Sequence, residues 1–342
     1  MIPSIAYADH TPEDLPTSAR GIWEPVARRA VEAMPKPLRL MAGYHLGWWD
    51  AAGAEYAAAR GKAIRPAVVL AAAAACGGDE SAAGVAAAAA ELFHNFTLVH
   101  DDVMDADATR RGRPTVWRVW GVGNAILVGD ALHAGATQLL AQTLPPASAA
   151  AAVARLADTA IELCRGQYED CAFERVAAVG VDDYMRMAMG KTGTLVGCAA
   201  ALGAVCAGAD SATVAAMDAF GRRLGVAFQI TDDILGIWGD PAVTGKPTGS
   251  DLARRKQSLP IVLALAAGTK QAAEFERWYR STDLVSPAEI AAATTLLDTM
   301  NIRAATLEWA RSFTRSATEA LPDPAAAAGL LALADLAVHR TR

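Results

Sequence analysis

Long apolar runs rich in alanine and leucine fill most of the chain, and glycine and proline residues separate them. The runs cover about residues 24–47, 50–76, 80–104, 118–142, 147–174, 181–208 and 211–238, with shorter segments after them. Each run is long enough for about three to seven helical turns, and none shows the apolar–polar alternation of a strand. The pattern therefore predicts an all-α fold.

The segment from Gly239 to Ser258 departs from this pattern, because glycine and proline recur in it among charged residues. It is predicted to be a loop that follows the helix over 211–238. No Gly/Ser-rich linker and no repeat of about 20–50 residues divides the chain, so we predict a single helical domain over residues 1–342. The 53% hydrophobic and 20% charged residues exclude a disordered chain.

Charge and cysteine content exclude several classes of protein. The net charge of −6 argues against nucleic-acid binding. The five cysteines include no C-x-x-C pair and the first residues show no secretory signal, so a cytoplasmic protein without a disulfide framework or zinc site is expected. The uncharged stretch from Thr192 to Ala209 lies at the lower length limit of a membrane span. We interpret it as a buried core helix and expect no stable membrane anchor.

An acidic cluster ends the run over 80–104. Asp101 and Asp105 are four residues apart, so a helix places both carboxylates on one face, with Asp102 beside them. These like charges repel one another, whereas Mg²⁺, which binds carboxylates together with substrate phosphates, would turn them into a site. The alternative is a solvated acidic helix end.

A second acidic pair, Asp232 and Asp233, ends the run over 211–238. Two helices with acidic ends that face each other can hold metal ions between them. Cations follow both clusters: Arg110 and Arg111 the first, Lys246 the second. Metal-binding carboxylates next to cations that bind oxygen directly are typical of a diphosphate site. A mixed-charge surface loop is the alternative.

These features occur within ordered blocks through which the sequence resembles the polyprenyl (isoprenyl diphosphate) synthase family, short-chain trans type, over nearly its whole length. The blocks are Gly61-Lys62 to Arg65-Pro66, Glu91 to His94, His100 to Asp105, Arg110-Arg111-Gly112, Gly166-Gln167 with Asp170, Lys191-Thr192, Phe228-Gln229 with Asp232-Asp233, and Gly245-Lys246-Pro247 to Asp251. The resemblance implies an all-α bundle of about ten or more helices around a central cavity. It also implies a homodimer that uses Mg²⁺ to join isopentenyl diphosphate to dimethylallyl, geranyl or farnesyl diphosphate.

The resemblance further implies a role for each matching residue. The Mg²⁺ ligands would be Asp101, Asp105 and Asp232, supported by Asp102, Asp170 and Asp233. The allylic diphosphate would be held by Arg110, Lys191 and Lys246, and isopentenyl diphosphate by Lys62, Arg65, His94 and Arg111. Facing the reacting carbons would be Thr192 and Gln229. A core histidine at position 94 and helix-packing polar residues at 192 and 229 are the structural alternatives.

Product length is predicted from Phe96, five residues before Asp101 and about 7.5 Å further back along the helix. The resemblance implies that an aromatic residue at this position closes the cavity in short-chain enzymes, whose product stops at twenty carbons. The next residue, Thr97, is small, so a C20 product is expected, and the C15 product is the alternative. Phe96 as an ordinary core residue is the structural alternative.

The sequence departs from the family pattern at two places. Gly236 stands where a third aspartate is common, and Asp240 in the following loop is a candidate to replace that charge. Ala63 stands where relatives carry an arginine, so weakened isopentenyl diphosphate binding is expected.

Two other functions share some of these features. A class I terpene cyclase has the helical bundle and an acidic helix but needs no isopentenyl diphosphate pocket, against which Lys62, Arg65 and Arg111 argue. A non-catalytic subunit of a synthase would typically lose the acidic motifs, and both are present here.

Overall fold

The computed structural model describes residues 14–56, 61–173, 175–176, 178–241, 247–281 and 285–339. The first helices in this part of the chain are α1 (Leu15–Glu32), α2 (Lys36–Leu46), α3 (Ile64–Ala75), α4 (Glu80–Met104), α5 (Val116–Trp120), α6 (Val122–Thr143), α7 (Pro146–Phe173) and α8 (Val181–Ala188). They are followed by α9 (Thr194–Cys206), α10 (Ser211–Trp238), α11 (Ser250–Ala253), α12 (Leu259–Ala266), α13 (Lys270–Tyr279), α14 (Pro287–Thr299), α15 (Ile302–Glu319) and α16 (Ala328–His339). A π-helix over Met189–Gly193 joins α8 to α9. The all-α prediction is confirmed.

Three predicted runs agree closely with α4, α7 and α10, but others contain breaks that the apolar pattern did not show. The run over 24–47 is divided where Pro35 adopts an extended backbone before α2. The run over 118–142 is divided at Gly121, whose φ of 88° few residues other than glycine adopt. The prediction of helix from residue 50 was wrong, because a turn at Gly53 precedes an isolated bridge between Trp49 and Glu55.

A short hairpin follows α4, and the sequence analysis missed it. Strand β1 (Thr109–Arg110) pairs antiparallel with β2 (Arg113–Pro114). The two residues between them, Arg111 and Gly112, have φ values of 52° and 75°. A two-residue turn with both φ values positive matches the twist of a hairpin. The hairpin carries two of the predicted cations, Arg110 in β1 and Arg111 in the turn.

The chain forms two compact units. The first comprises residues 1–158, 198–218 and 322–333. In its core, α4 packs against α1, α3 and α6, and residues 86–90 of α4 are five fully buried alanines. Alanine has a small side chain, so neighbouring helices approach α4 closely. The first acidic cluster is at the end of this helix.

The second compact unit comprises residues 159–197, 219–321 and 334–342. Its core includes Tyr184 and Met187 of α8, Val226 and Ile230 of α10, and Leu259 of α12. The π-helix lies directly against α10, since a Cβ added to Gly225 would be 2.8 Å from the Cα of Gly193. The second acidic pair lies on α10.

Two helical segments are long and apolar enough to cross a membrane by length and composition, Glu80–Met104 and Val181–Cys206. Their most apolar windows are 83% and 72% buried inside the protein. Such burial is typical of the core helices of soluble proteins, so these segments are weak indications of a membrane span.

Candidate active site

The first acidic cluster is arranged by the end of α4. The helix ends at Met104, and Asp105 follows it with its N–H donating to the carbonyl of Asp101 at 2.8 Å. The side chain of Asp105 is exposed and that of Asp101 is partly exposed. The intervening Asp102 is only 1% exposed. Two of the three predicted carboxylates therefore face solvent, and the third faces the protein.

Asp102 fixes the first cation of the hairpin. The Nε of Arg110 donates to Oδ1 of Asp102 at 2.7 Å. Burial raises the pKa of Asp102 to about 6, although Arg110 acts in the opposite direction. No described residue donates a hydrogen bond to the other oxygen, Oδ2, which is also buried. That oxygen is an unused acceptor beside Asp101, as a metal-bound water or a metal ion would require.

The residues predicted to bind isopentenyl diphosphate include a contacting pair. The Nη1 of Arg65 lies 3.0 Å from Nε2 of His94. Burial and the charge of Arg65 hold the pKa of His94 well below its ordinary value, so the ring is neutral. Because arginine is always a donor, Nε2 of His94 accepts this hydrogen bond. No described group pairs with the buried Nδ1 of His94.

A buried carboxylate near Arg65 and Arg111 was not singled out by the sequence analysis. Glu91 is 6% exposed and accepts a hydrogen bond from Nδ2 of Asn95 at 3.2 Å. Burial raises the pKa of Glu91, while the charges of Arg65 and Arg111 lower it. Arg65 and Arg111 therefore both act on one counter-charge in the first unit, and Arg65 also contacts the neutral His94. Lys62 is exposed, two residues before α3.

In the second unit, Lys191 forms a short ion pair with Asp170 of α7. Lys191 belongs to the π-helix, a rare element that is often found at functional sites. Gly166 of α7 permits this contact, since a Cβ there would lie 2.2 Å from the backbone nitrogen of Lys191. The role of Lys191 in binding a diphosphate stays a prediction, and such binding would require it to share or exchange its carboxylate partner.

A chain of hydrogen bonds links the two residues predicted to face the reacting carbons. The hydroxyl of Thr192 donates to Oε1 of Gln229 at 2.7 Å, and Nε2 of Gln229 donates to Oδ1 of Asp233 at 2.9 Å. The other oxygen of Asp233 accepts from the Tyr184 hydroxyl at 2.6 Å and from the Leu259 N–H at 2.9 Å. This chain orients the Gln229 amide, and sequence reasoning missed its Tyr184 end.

The two aspartates of the second motif have different surroundings. Asp233 is 2% exposed, and burial raises its pKa to about 6. Asp232, one residue earlier, is exposed. The metal-supporting role of Asp233 stays a prediction, because its hydrogen bonds described above all join it to protein groups. Lys246, the predicted cation after this motif, lies outside the described residues.

The position of the missing third aspartate is filled by another carboxylate. A Cβ added to Gly236 would lie 2.4 Å from Cγ of Asp251, a distance well below the van der Waals contact of two carbon atoms. The segment that carries Asp251 is tied to the end of α10, because Ser250 Oγ donates to the Gly236 carbonyl at 3.2 Å. The sequence analysis suggested Asp240 for this charge, and the contact with Asp251 was not predicted.

The contact predicts that Gly236 and Asp251 are energetically coupled. Gly236→Ala is expected to lower stability by about 1–3 kcal/mol, because the added methyl group displaces the carboxylate. In Asp251→Ala the same methyl group meets no carboxylate, so adding Gly236→Ala is expected to cost much less. Urea unfolding of the four proteins measures the coupling. Additive losses in the double variant would contradict it.

Phe96 is held in an aromatic cluster with residues of α4 and α6. Its ring stacks on His133 at 5.0 Å and meets Phe93 and His100 edge-on at 5.0 and 5.2 Å. Phe96 is 9% exposed. The contact of Phe96 with His133 of α6 was not predicted, because the two residues are far apart in the sequence. The predicted role of Phe96 in closing the cavity stays a prediction.

The carboxylates of the chain suit a metal ion that binds together with substrate. Among the described residues, no group of three or more His, Cys, Asp or Glu side chains is preassembled to hold a metal. Mg²⁺ retains waters and usually binds one or two carboxylates plus substrate phosphates, so such a cage is not required. Asp101 and Asp105, with the oxygen of Asp102 that accepts no hydrogen bond, fit this type of site at the end of α4, and Asp232 fits it on α10.

Comparison with known proteins identifies the family. The polyprenyl synthetase family model matches residues 48–297. The chain is 50% identical over 339 residues to a geranylgeranyl diphosphate synthase of Mycobacterium tuberculosis (strain ATCC 25618 / H37Rv), covering 98% of this chain and 97% of the relative. A crystal structure of a polyprenyl synthetase from Streptomyces coelicolor A3(2) superimposes with a TM-score of 0.89 at 40% identity, covering 94% and 98% of the two chains.

A second similar structure is a geranylgeranyl pyrophosphate synthase from Corynebacterium glutamicum complexed with isoprenyl diphosphate and magnesium. Its TM-score is 0.81 at 27% identity, and the match covers 96% of this chain and 99% of that one. The chain described here belongs to the polyprenyl synthetase family, as its motifs predicted. It is a trans-prenyltransferase, and solved structures of similar proteins are complexed with isoprenyl diphosphate and with magnesium or calcium.

Proposed function

We propose that this chain joins isopentenyl diphosphate head-to-tail to an allylic diphosphate, with Mg²⁺ as its metal ion, and that its final product is geranylgeranyl diphosphate. The cluster of Arg65, His94 and Arg111 around Glu91 carries the proposal. This cluster is a cationic site in addition to the acidic ends of α4 and α10, and a second diphosphate substrate needs such a site. A terpene cyclase has no use for it.

Different side chains of the protein have different roles in the proposed reaction. Arg110 and Lys191 are the residues that we propose for binding the departing diphosphate, and Mg²⁺ held by the acidic motifs would supply further charge neutralisation. As the allylic C–O bond breaks, positive charge develops on the hydrocarbon. The hydroxyl proton of Thr192 points to Gln229, so the lone pairs of Thr192 Oγ1 can face that charge. Water must be excluded, because it would capture the cation.

The isopentenyl diphosphate is held by groups of the first unit. Arg65 and Arg111 supply fixed charge, and neutral His94 receives the Arg65 hydrogen bond and keeps Nδ1–H for a phosphate oxygen. Since Nε2 of His94 already accepts from Arg65, this ring does not take the proton lost in the condensation. The released diphosphate is the base that we propose for that step.

The C20 product rests on the relative named above and on Phe96. The 50% identity to a geranylgeranyl diphosphate synthase extends over nearly the whole of both chains. Phe96 is packed between aromatic rings of α4 and α6 and is thereby held in place. A C15 product is the alternative, in which the cavity closes nearer to the acidic cluster.

We also propose that the protein is a homodimer. On α6, Val122, Ile126 and Leu127 are 47%, 44% and 57% exposed. Neighbouring exposed apolar side chains of this kind are typical of a surface that another protein covers. Sedimentation of the purified protein as a dimer would support the proposal, and a monomer at micromolar concentration would contradict it.

The proposed reaction is tested with purified protein, Mg²⁺, labelled isopentenyl diphosphate and, separately, dimethylallyl, geranyl and farnesyl diphosphates. Products are hydrolysed to alcohols and separated by chain length. Geranylgeraniol as the endpoint supports both the reaction and the C20 product, whereas farnesol alone supports the reaction and contradicts C20. Hydrocarbon formed without consumption of isopentenyl diphosphate indicates a cyclase. No turnover, beside an active control enzyme, indicates a non-catalytic subunit.

A further inference from the structure

The loop that carries Lys62 is anchored by a residue far from it in sequence. Nη2 of Arg20, on α1, donates to the carbonyl oxygen of Gly61 at 2.7 Å. Gly61 directly precedes Lys62, so this contact fixes the backbone from which the lysine extends. The family model matches residues 48–297, and Arg20 therefore lies outside the matched region.

Gly61 also contacts the hairpin that follows α4. A Cβ added to Gly61 would lie 2.7 Å from Nη2 of Arg111 and 3.2 Å from its Cζ. Glycine therefore allows the guanidinium of Arg111 to rest against the backbone. Gly61 is contacted by Arg20 through its carbonyl and by Arg111 at its Cα.

The charges around Gly61 explain why the arginines can gather there. Arg20, Glu91 and Arg111 line one small pocket, together with Glu24. Burial raises the pKa of Glu91, and the charges of Arg65, Arg111 and Arg20 all oppose that rise, so each of them acts on this one carboxylate. Glu24 lies 4.0 Å from Arg20. The two guanidiniums that line the pocket are matched by its two carboxylates, and Arg65, which does not line it, adds a positive charge that also acts on Glu91.

Two residues that line this pocket carry buried donor atoms that form no hydrogen bond with the described residues. They are the Nε of Arg20 and the Nε1 of Trp23, both buried. Trp23 is 5% exposed and lies one helical turn after Arg20, on the same side of α1. Buried donors without acceptors are costly, and the oxygens of water or of a phosphate are the groups that satisfy them.

We infer that Arg20 is a positioning residue of the isopentenyl diphosphate pocket, which acts by holding Gly61, and with it Lys62, beside Arg111. This inference rests on the proposed function. It assigns to α1 a part in binding one of the two substrates. Arg20 has no part in holding the allylic diphosphate, so its loss affects the two substrates differently.

The test is steady-state kinetics of the full-length Arg20→Gln variant, with KM measured separately for isopentenyl and farnesyl diphosphate. Loss of one charge-assisted hydrogen bond is expected to raise KM for isopentenyl diphosphate about tenfold. KM for farnesyl diphosphate and kcat are expected to stay within about twofold of the wild type, because the allylic site is untouched. Arg20→Lys, which keeps the charge without the planar fork, is expected to give a smaller rise in the same KM.

Arg28→Gln is the matched control. Arg28 lies two turns further along α1 and pairs with Glu32 and Glu55. Its side chain is 34% exposed, against 30% for Arg20. The control is expected to show wild-type values for both substrates.

Each result decides a different question. An unchanged KM for isopentenyl diphosphate in Arg20→Gln, with an active wild type, overturns the role of Arg20 and leaves the proposed function intact. Equal changes for both substrates, or the same change in Arg28→Gln, also overturn it, because they indicate a general effect on α1. A wild type that does not consume isopentenyl diphosphate contradicts the proposed function itself. If Arg20→Gln does not fold, Arg20→Lys decides by the same ratio of KM values.

Discussion

Replacing Asp101 or Asp232 by alanine is expected to abolish turnover while the protein stays folded. Each removes a carboxylate that the proposed function assigns to Mg²⁺ and the allylic diphosphate. Loss of one such ligand is expected to reduce kcat by at least about a thousandfold, equivalent to roughly 4 kcal/mol of transition-state stabilisation. Stability is expected to be retained, since Asp232 is exposed and Asp101 is partly exposed beside like charges.

The matched control for this experiment is Asp79→Ala. Asp79 stands at the opposite end of α4, is exposed, and makes no side-chain capping hydrogen bond. It is expected to keep wild-type kcat and thermal unfolding. Product formation by radiolabel and unfolding by circular dichroism are measured on all three variants. Turnover near that of the wild type in either site variant would refute the assignment of that aspartate to the metal.

Replacing Phe96 by alanine is expected to lengthen the product beyond the wild-type endpoint. The ring lies among Phe93, His100 and His133, and its removal leaves space that a growing hydrocarbon tail can enter. Alanine at a nearly buried phenylalanine costs about 3–5 kcal/mol, so unfolding at a lower temperature is also expected. Chromatography of the dephosphorylated alcohols measures the shift in chain length.

Phe275→Ala separates a loss of stability from a change of cavity. Phe275 is fully buried in an aromatic cluster of the second unit, with Trp278 and Tyr279. A comparable loss of stability with an unchanged product is expected for it. A Phe96→Ala enzyme with the wild-type product would show that Phe96 is an ordinary core residue.

Local sequence patterns predicted the helices well and the contacts between distant residues poorly. The long alanine-rich runs of α4, α7 and α10 were correct, because apolar periodicity is a local property. The division at Gly121 was missed, since a single glycine inside an apolar run is compatible with a helix until its φ is known.

The candidate site shows the same limit. The family resemblance implied that Arg65 and His94 belong to one pocket, and the structure places them in contact. No pattern within the chain indicated that Asp251 would fill the space beside Gly236, or that Arg20 would reach Gly61. Such contacts depend on tertiary packing, and a single sequence does not show which distant residues are in contact.

The π-helix determines how far α9 is rotated about the helix axis relative to α8, which precedes it in the same continuous helix. Each residue of an α-helix turns the chain by about 100°, so the extra residue in a π-helical turn rotates everything after it relative to everything before it. Deleting one residue from Met189–Gly193 would restore a regular helix and turn α8 against α9 by about that angle. Lys191, which pairs with Asp170 of α7, and Thr192, which donates to Gln229 of α10, both lie in this turn, so the deletion would displace them relative to these partners. The wider turn lets neighbouring residues of one helix contact both α7 and α10.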